Sequence, residues 1–109
     1  MPAATSTGSG TREDPWTLTT PPGKSQYEAY RDTEADPPAL VVQVGSTELR
    51  YHVRAITDLH DMLRQHGDWM ALGNAELRGR FGNYVPPVLE RLGLAEVEHN
   101  PRNNRMRAI

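Results

Sequence analysis

The chain has 109 residues, a formal net charge of -2 and no cysteine. That length holds one domain, and the missing thiols exclude disulfides, thiol chemistry and a cysteine-based zinc site. The charge is uneven: residues 1–73 carry six basic and ten acidic side chains, whereas residues 74–109 carry six arginines and four glutamates.

Residues 1–15 are small, polar and rich in Gly, Ser and Thr, and are expected to be a disordered tail. They lack the basic and apolar regions of a signal peptide, and no apolar run reaches membrane-spanning length. A cytoplasmic protein with no membrane partner is the expectation. The remainder, 16–109, is read as a single α+β domain with a β-hairpin region at 16–56 and a helical region at 57–109.

Trp16 to Thr20 alternates large apolar residues with threonine, a short strand stopped by Pro21-Pro22-Gly23. Ser25 to Arg31 is ambiguous: Tyr27, Ala29 and Arg31 alternate as in a strand, while Tyr27 and Tyr30 share a helical face. Ala39 to Val44 and Thr47 to Val53 are β-rich and separated by Gly45-Ser46, the pattern of a type II′ hairpin. That turn pairs Val44 with Thr47, Val42 with Leu49 and Leu40 with Tyr51 on one buried face. Val41, Gln43, Glu48, Arg50 and His52 fall on the other, wet face.

Thr57 offers a helix N-cap, with Asp58 and Asp61 in the first turns. Leu59, Met62, Leu63 and His66 form an apolar stripe that Gly67 ends. Asp68 to Leu72 suits one small strand. Asn74 caps a second short helix over Ala75 to Phe81, and Asn83 a third in which Val85, Val88, Leu89 and Leu92 repeat at i, i+3, i+4 and i+7. Pro86 and Pro87 are tolerated because they fall in the first turn, and Gly93 stops the helix. Ala95 to His99 and Arg105 to Ile109 then flank the turn residues Asn100 to Asn104, which predicts a hairpin with a basic tip.

Helix, short strand, helix, helix, strand, loop, strand is the element order of a winged helix. The stretch LERLGLAEVEHNPRNNRMRA also resembles the third helix and wing of MarR-like bacterial regulators. The carriers are Leu89-Glu90-Arg91-Leu92, Gly93-Leu94, Asn100-Pro101 and Arg105. The long dimerisation helices of that family have no counterpart, so a MarR-type dimer is not implied. The fold class expected is α+β, with a winged-helix-like C-terminal half and an added N-terminal β-hairpin.

This reading nominates double-stranded DNA as partner. The candidate contacts are Arg78 and Arg80 on the second helix, Asn83 and Tyr84 at the start of the third, and Arg102, Asn103, Asn104 and Arg105 in the wing. Arginine clamps phosphates or guanine edges, asparagine pairs with adenine, and a helix N-terminus attracts phosphate. Two bland readings stand beside it. If Glu96 and Glu98 face outward, Arg105 and Arg107 can pair with them across the hairpin, which leaves only Arg102 free at the tip. Pro87, Glu90 and Arg91 make a poor reading surface, because prolines donate no amide hydrogen and a carboxylate repels phosphate.

The four histidines have no metal-ligand spacing, and no nucleophile elbow, phosphate loop or paired-carboxylate motif is present. Neither cofactor nor metal is expected, nor an enzyme. Trp16, Trp69, Tyr51 and Phe81 are read as core anchors. The function expected is a regulatory or accessory DNA-binding protein. The alternative is a protein-interaction module of winged-helix shape, joining a second copy or another protein through the 39–53 hairpin.

Overall fold

The Gly45-Ser46 turn sets the register of the N-terminal sheet. Strands β3 (Ala39–Val44) and β4 (Thr47–His52) pair antiparallel, with Val44 opposite Thr47, Val42 opposite Leu49 and Leu40 opposite Tyr51. Gly45 sits at φ 59°, the positive value that the first position of a type II′ turn requires. The computed structural model describes residues 8–109.

Two further strands extend the hairpin. β1 (Trp16–Thr19) and β2 (Gln26–Asp32) complete a four-stranded antiparallel sheet in the order β1-β2-β3-β4. The strand alternative for Ser25 to Arg31 is the one adopted. Trp16, Leu18, Tyr27, Ala29, Leu40 and Val42 share one face and are all buried. The opposite face is not uniformly wet. Val41 is only 1% exposed there, on the same face as Tyr30 and Arg50, its partners in the flanking strands.

Residues 8–14 depart from the expected tail, whose residues 1–7 lie outside the described ones. Asp14 gathers the loop: its carboxylate accepts from the Ser9 amide and hydroxyl, and its carbonyl from the amides of Ser9, Gly10 and Thr11. Gly10 lies flat on the Trp16 indole, where a Cβ would come within 2.3 Å of the ring. Its carbonyl accepts from the Arg31 amide at 3.0 Å. Small residues that look disordered are here the ones that let backbone approach a tryptophan face.

Helix α1 (Arg54–His66) starts earlier than its sequence signals suggest. Thr57 is not its cap: the chain turns straight out of β4, and His52 Nδ1 accepts from the Arg54 amide at 3.0 Å. The buried stripe is Ile56, Leu59 and Leu63, and His66 is exposed. Gly67 ends the helix in the left-handed conformation at φ 78°. Helix α2 (Ala75–Phe81) has the bounds its signals predict, since Asn74 Oδ1 accepts from the amides of Glu76 and Leu77 at 3.0 and 3.2 Å.

Strands β5 (Met70–Ala71), β6 (Ala95–Val97) and β7 (Arg105–Ala108) form a second antiparallel sheet in the order β5-β7-β6, and α3 (Pro86–Arg91) precedes β6. The architecture is mixed α+β. Side chains from both sheets and all three helices join one apolar cluster that includes Trp16, Leu59, Phe81, Leu89 and Met106.

Candidate nucleic-acid interface

The third helix decides how much of the expected interface exists. α3 spans six residues, of which Pro86, Pro87, Val88 and Leu89 are all buried. At about 100° per residue, four consecutive buried positions point around the whole helix circumference. The helix touches β1, α1 and β6. Tyr27 in β2 donates its hydroxyl to the Tyr84 carbonyl at 2.7 Å, and the two rings meet edge to face at 5.2 Å. Burial pushes the Tyr27 hydroxyl far above the ordinary tyrosine range, with Tyr51, Tyr84 and Glu90 nearby adding to the effect.

The two remaining side chains of α3 are also engaged. Glu90 accepts from His99 Nε2 at 2.6 Å, and His99 Nδ1 faces the Pro21 carbonyl at 3.1 Å. Arg91 donates to the Gly8 carbonyl at 3.1 Å. Asn83 does not cap the helix, whose N-cap position is held by Val85 without a side-chain bond. The Asn83 side chain is exposed, and Tyr84 is half-buried against Tyr27.

The wing consumes its polar groups differently. Arg105 makes two bonds to the Glu98 carboxylate, at 3.0 and 2.9 Å, and Arg107 bonds Glu96 at 2.7 Å. Both guanidiniums lie against the Trp69 ring, 5.2 and 4.7 Å from its centroid. Trp69 is accordingly half-buried rather than a core anchor, whereas Tyr51 is half-buried and packs against the apolar cluster. The Arg105 guanidinium holds the Glu98 carboxyl below the usual carboxylate range, and Glu98 in turn raises Arg105.

Asn104 is removed from the candidates. It is 5% exposed, its side chain spans the loop to the Asn100 amide and carbonyl at 2.6 and 2.8 Å, and its carbonyl accepts from the Leu72 amide. Asn103 takes φ 61°, the left-handed turn position that asparagine tolerates. Arg80 is drawn to Asp58 and Glu76 at 3.7 and 3.9 Å and lies over Phe81. Arg78 and Arg102 are exposed and have no acidic partner among the described residues. Of the eight nominated groups, Arg78, Asn83, Arg102 and Asn103 thus keep free, exposed side chains.

Sequence reasoning missed the bonds that seal α3. Tyr27 to Tyr84 and Arg91 to Gly8 join residues far apart in the chain, and no local spacing announces them. It also missed an open cleft of about 470 Å³ between the end of α1 and the second sheet, lined among others by Leu63, Arg64, Asp68, Glu96 and Arg107. Among the described residues no group of three or more His, Asp or Glu side chains is placed to hold a metal ion, and no helix is long and apolar enough to cross a membrane.

A sequence-family model matches residues 8–77 and 74–109, so it spans every element of both sheets and all three helices. The chain belongs to that family. It is described as a family of unknown function (DUF6855). No curated protein and no solved structure matches the chain. The family's matched region includes the loop that carries Gly10 and Arg12 against the first sheet.

Proposed function

We propose that this member of the family is a non-enzymatic protein-interaction module whose C-terminal half keeps a winged-helix outline without the DNA-reading chemistry. The outline rests on the order of α1, β5, α2, α3, β6 and β7 and on the β5-β7-β6 sheet. One observation carries the functional reading: α3, the element that would enter a major groove, has buried residues around its full circumference. β1 of the N-terminal sheet packs against α3 and supports this reading.

What remains for a partner is polar. Among the described residues the only large apolar side chain that is exposed is Ile109, at 72%. Recognition then falls to main-chain hydrogen bonds at a sheet edge and to charge, which is strand addition. The β4 edge is the longer of the two outer strands of the first sheet.

Exposed and unpaired Arg78 and Arg102 favour a second reading, sequence-independent contact with phosphates. Fluorescence anisotropy of labelled duplex DNA at low salt separates the two. The interaction module leaves the anisotropy unchanged. Binding that loses about one unit of salt slope for each of Arg78 and Arg102 replaced by alanine would overturn it.

A further inference from the structure

The two edges of the first sheet are guarded differently. β1 is four residues long, bounded by Pro15 on one side and Pro21-Pro22 on the other, and touches α3. β4 is six residues long, pairs in unbroken register, and carries no proline. Proline, short length and cover are the usual means of blocking edge-to-edge pairing. β1 is short and bounded by prolines; β4, which touches α1 as β1 touches α3, is neither short nor interrupted by proline.

The register says which backbone groups β4 offers. A β-turn bonds the carbonyl of its first residue to the amide of its fourth, so Val44 and Thr47 form a hydrogen-bonded pair. Bonded and non-bonded pairs alternate along an antiparallel ladder. Val42–Leu49 and Leu40–Tyr51 are therefore bonded pairs, and the Val53 amide reaching the Pro38 carbonyl at 3.0 Å continues the same alternation. Glu48, Arg50 and His52 direct their amides and carbonyls outward, away from β3. Their side chains lie on the sheet face opposite the core, with Glu48 and Arg50 about half exposed.

We propose that a second copy of this chain occupies the β4 edge, antiparallel and two-fold symmetric about Leu49, joining two four-stranded sheets into one of eight. This rests on the interaction-module reading and names its partner. Charge selects the register. Centring the two-fold on Arg50 or Glu48 sets like charge directly opposite like charge. Centring it on Tyr51 sets Arg50 opposite the partner's His52. Centring it on Leu49 sets Glu48 opposite the partner's Arg50, twice, and Thr47 opposite the partner's Tyr51.

The same register satisfies the backbone. Glu48 and the partner's Arg50 become a hydrogen-bonded pair, so their outward amides and carbonyls meet. Leu49 meets the partner's Leu49 as a non-bonded pair, the closer of the two spacings, and buries the part of its side chain now exposed. Arg50 already reaches Glu48 at 2.9 Å along its own strand and Asp32 at 3.6 Å. Dimerisation turns that intrachain pair into an alternating four-charge cluster over the two-fold axis.

Sedimentation velocity of the full chain, from micromolar to millimolar concentration, tests this directly, with amide hydrogen exchange as the local readout. The expected result is a concentration-dependent dimer in which the Glu48 and Arg50 amides gain protection while those of Leu49 and Tyr51 are protected throughout. Arg50→Glu and Glu48→Arg should each weaken self-association by about tenfold or more, and mixing the two variants should restore it as a heterodimer. Glu48→Pro removes an outward amide that the monomer does not use, so it should leave the fold intact by circular dichroism and abolish the dimer. A chain that stays monomeric at millimolar concentration overturns the dimer and assigns Glu48 and Arg50 to edge protection. If DNA is still not bound, the interaction reading survives that result; if the chain binds DNA, both fall. A dimer indifferent to both charge reversals and to Glu48→Pro also overturns the inference, because it then forms elsewhere.

Discussion

α3 and the β6–β7 hairpin, which in the proposed winged-helix outline would be the reading helix and the wing, are both occupied, by different means. α3 is enclosed in apolar contacts, with Val88 and Leu89 fully buried and its C-terminal residues Glu90 and Arg91 tied to His99 and Gly8. The wing arginines are held at the surface by carboxylates and an indole face. Apolar burial is undone only by unfolding, whereas exposed ion pairs exchange partners readily and weaken with salt. Under the proposed reading the two differ in what a partner could reach: α3 would have to be unpacked first, whereas Arg105 and Arg107 would only have to exchange one carboxylate for a stronger anionic partner.

The largest effect should come from the buried side of this contrast. Val88→Ala or Leu89→Ala removes a fully buried side chain and is expected to cost about 2–5 kcal/mol in chemical denaturation, the smaller valine at the low end. A near-neutral outcome for both would return α3 to the surface and revive the DNA reading. Tyr27→Phe probes the seam between the first sheet and α3. It leaves the Tyr84 carbonyl without its donor and should cost about 1–3 kcal/mol. Because burial raises the Tyr27 hydroxyl, the unfolded chain ionises first, so stability should fall as pH rises past the ordinary tyrosine value of about 10. Tyr27→Phe should flatten that alkaline loss.

What could be foreseen follows the same division. The Gly45-Ser46 turn and the Asn74 cap are local devices, and the strand register and the bounds of α2 follow from them. Pairing of Arg105 and Arg107 with Glu96 and Glu98 was within reach as one of two readings, because cross-strand neighbours lie close; which arginine meets which glutamate is set by the β6–β7 register. The surroundings of α3 were not. Pro86-Pro87 has the pattern of an exposed first turn, and it is buried in a helix that packs against elements distant in the chain, β1 and α1 among them. The start of α1 was misplaced for a related reason: His52, a strand residue, supplies the acceptor expected of Thr57. Residues 8–14 lack apolar content of their own and are organised by Asp14 and by the Trp16 face.

A smaller effect is expected at the base of the wing. Asn104→Ala deletes both bonds to Asn100 and should cost about 1 kcal/mol. The informative measurement is amide exchange, which should speed up in residues 99–104 and leave α3 unchanged. Loss of protection in α3 as well would mean that wing and helix are one cooperative unit rather than the two regimes contrasted above.

The smallest expected effect bears most directly on whether the wing is withheld or free. Glu98 has its carboxyl lowered first by the hydrogen bond from Arg105, then by that group's charge. The sign follows from linkage: a folded-state value below the unfolded one stabilises the fold above the ordinary glutamate value of about 4.3. That contribution is lost as pH falls through the depressed folded value. A side-chain carbon NMR titration should place the Glu98 midpoint below that ordinary value. Arg105→Ala should move it back up, while the fold melts unchanged within error. If Glu98 instead titrates at its ordinary value in the wild-type chain, the pair is not populated in solution. Arg105 would then join Arg78 and Arg102 as a free cation, and the wing, unlike α3, would be open to an anionic partner without any ion pair having to break.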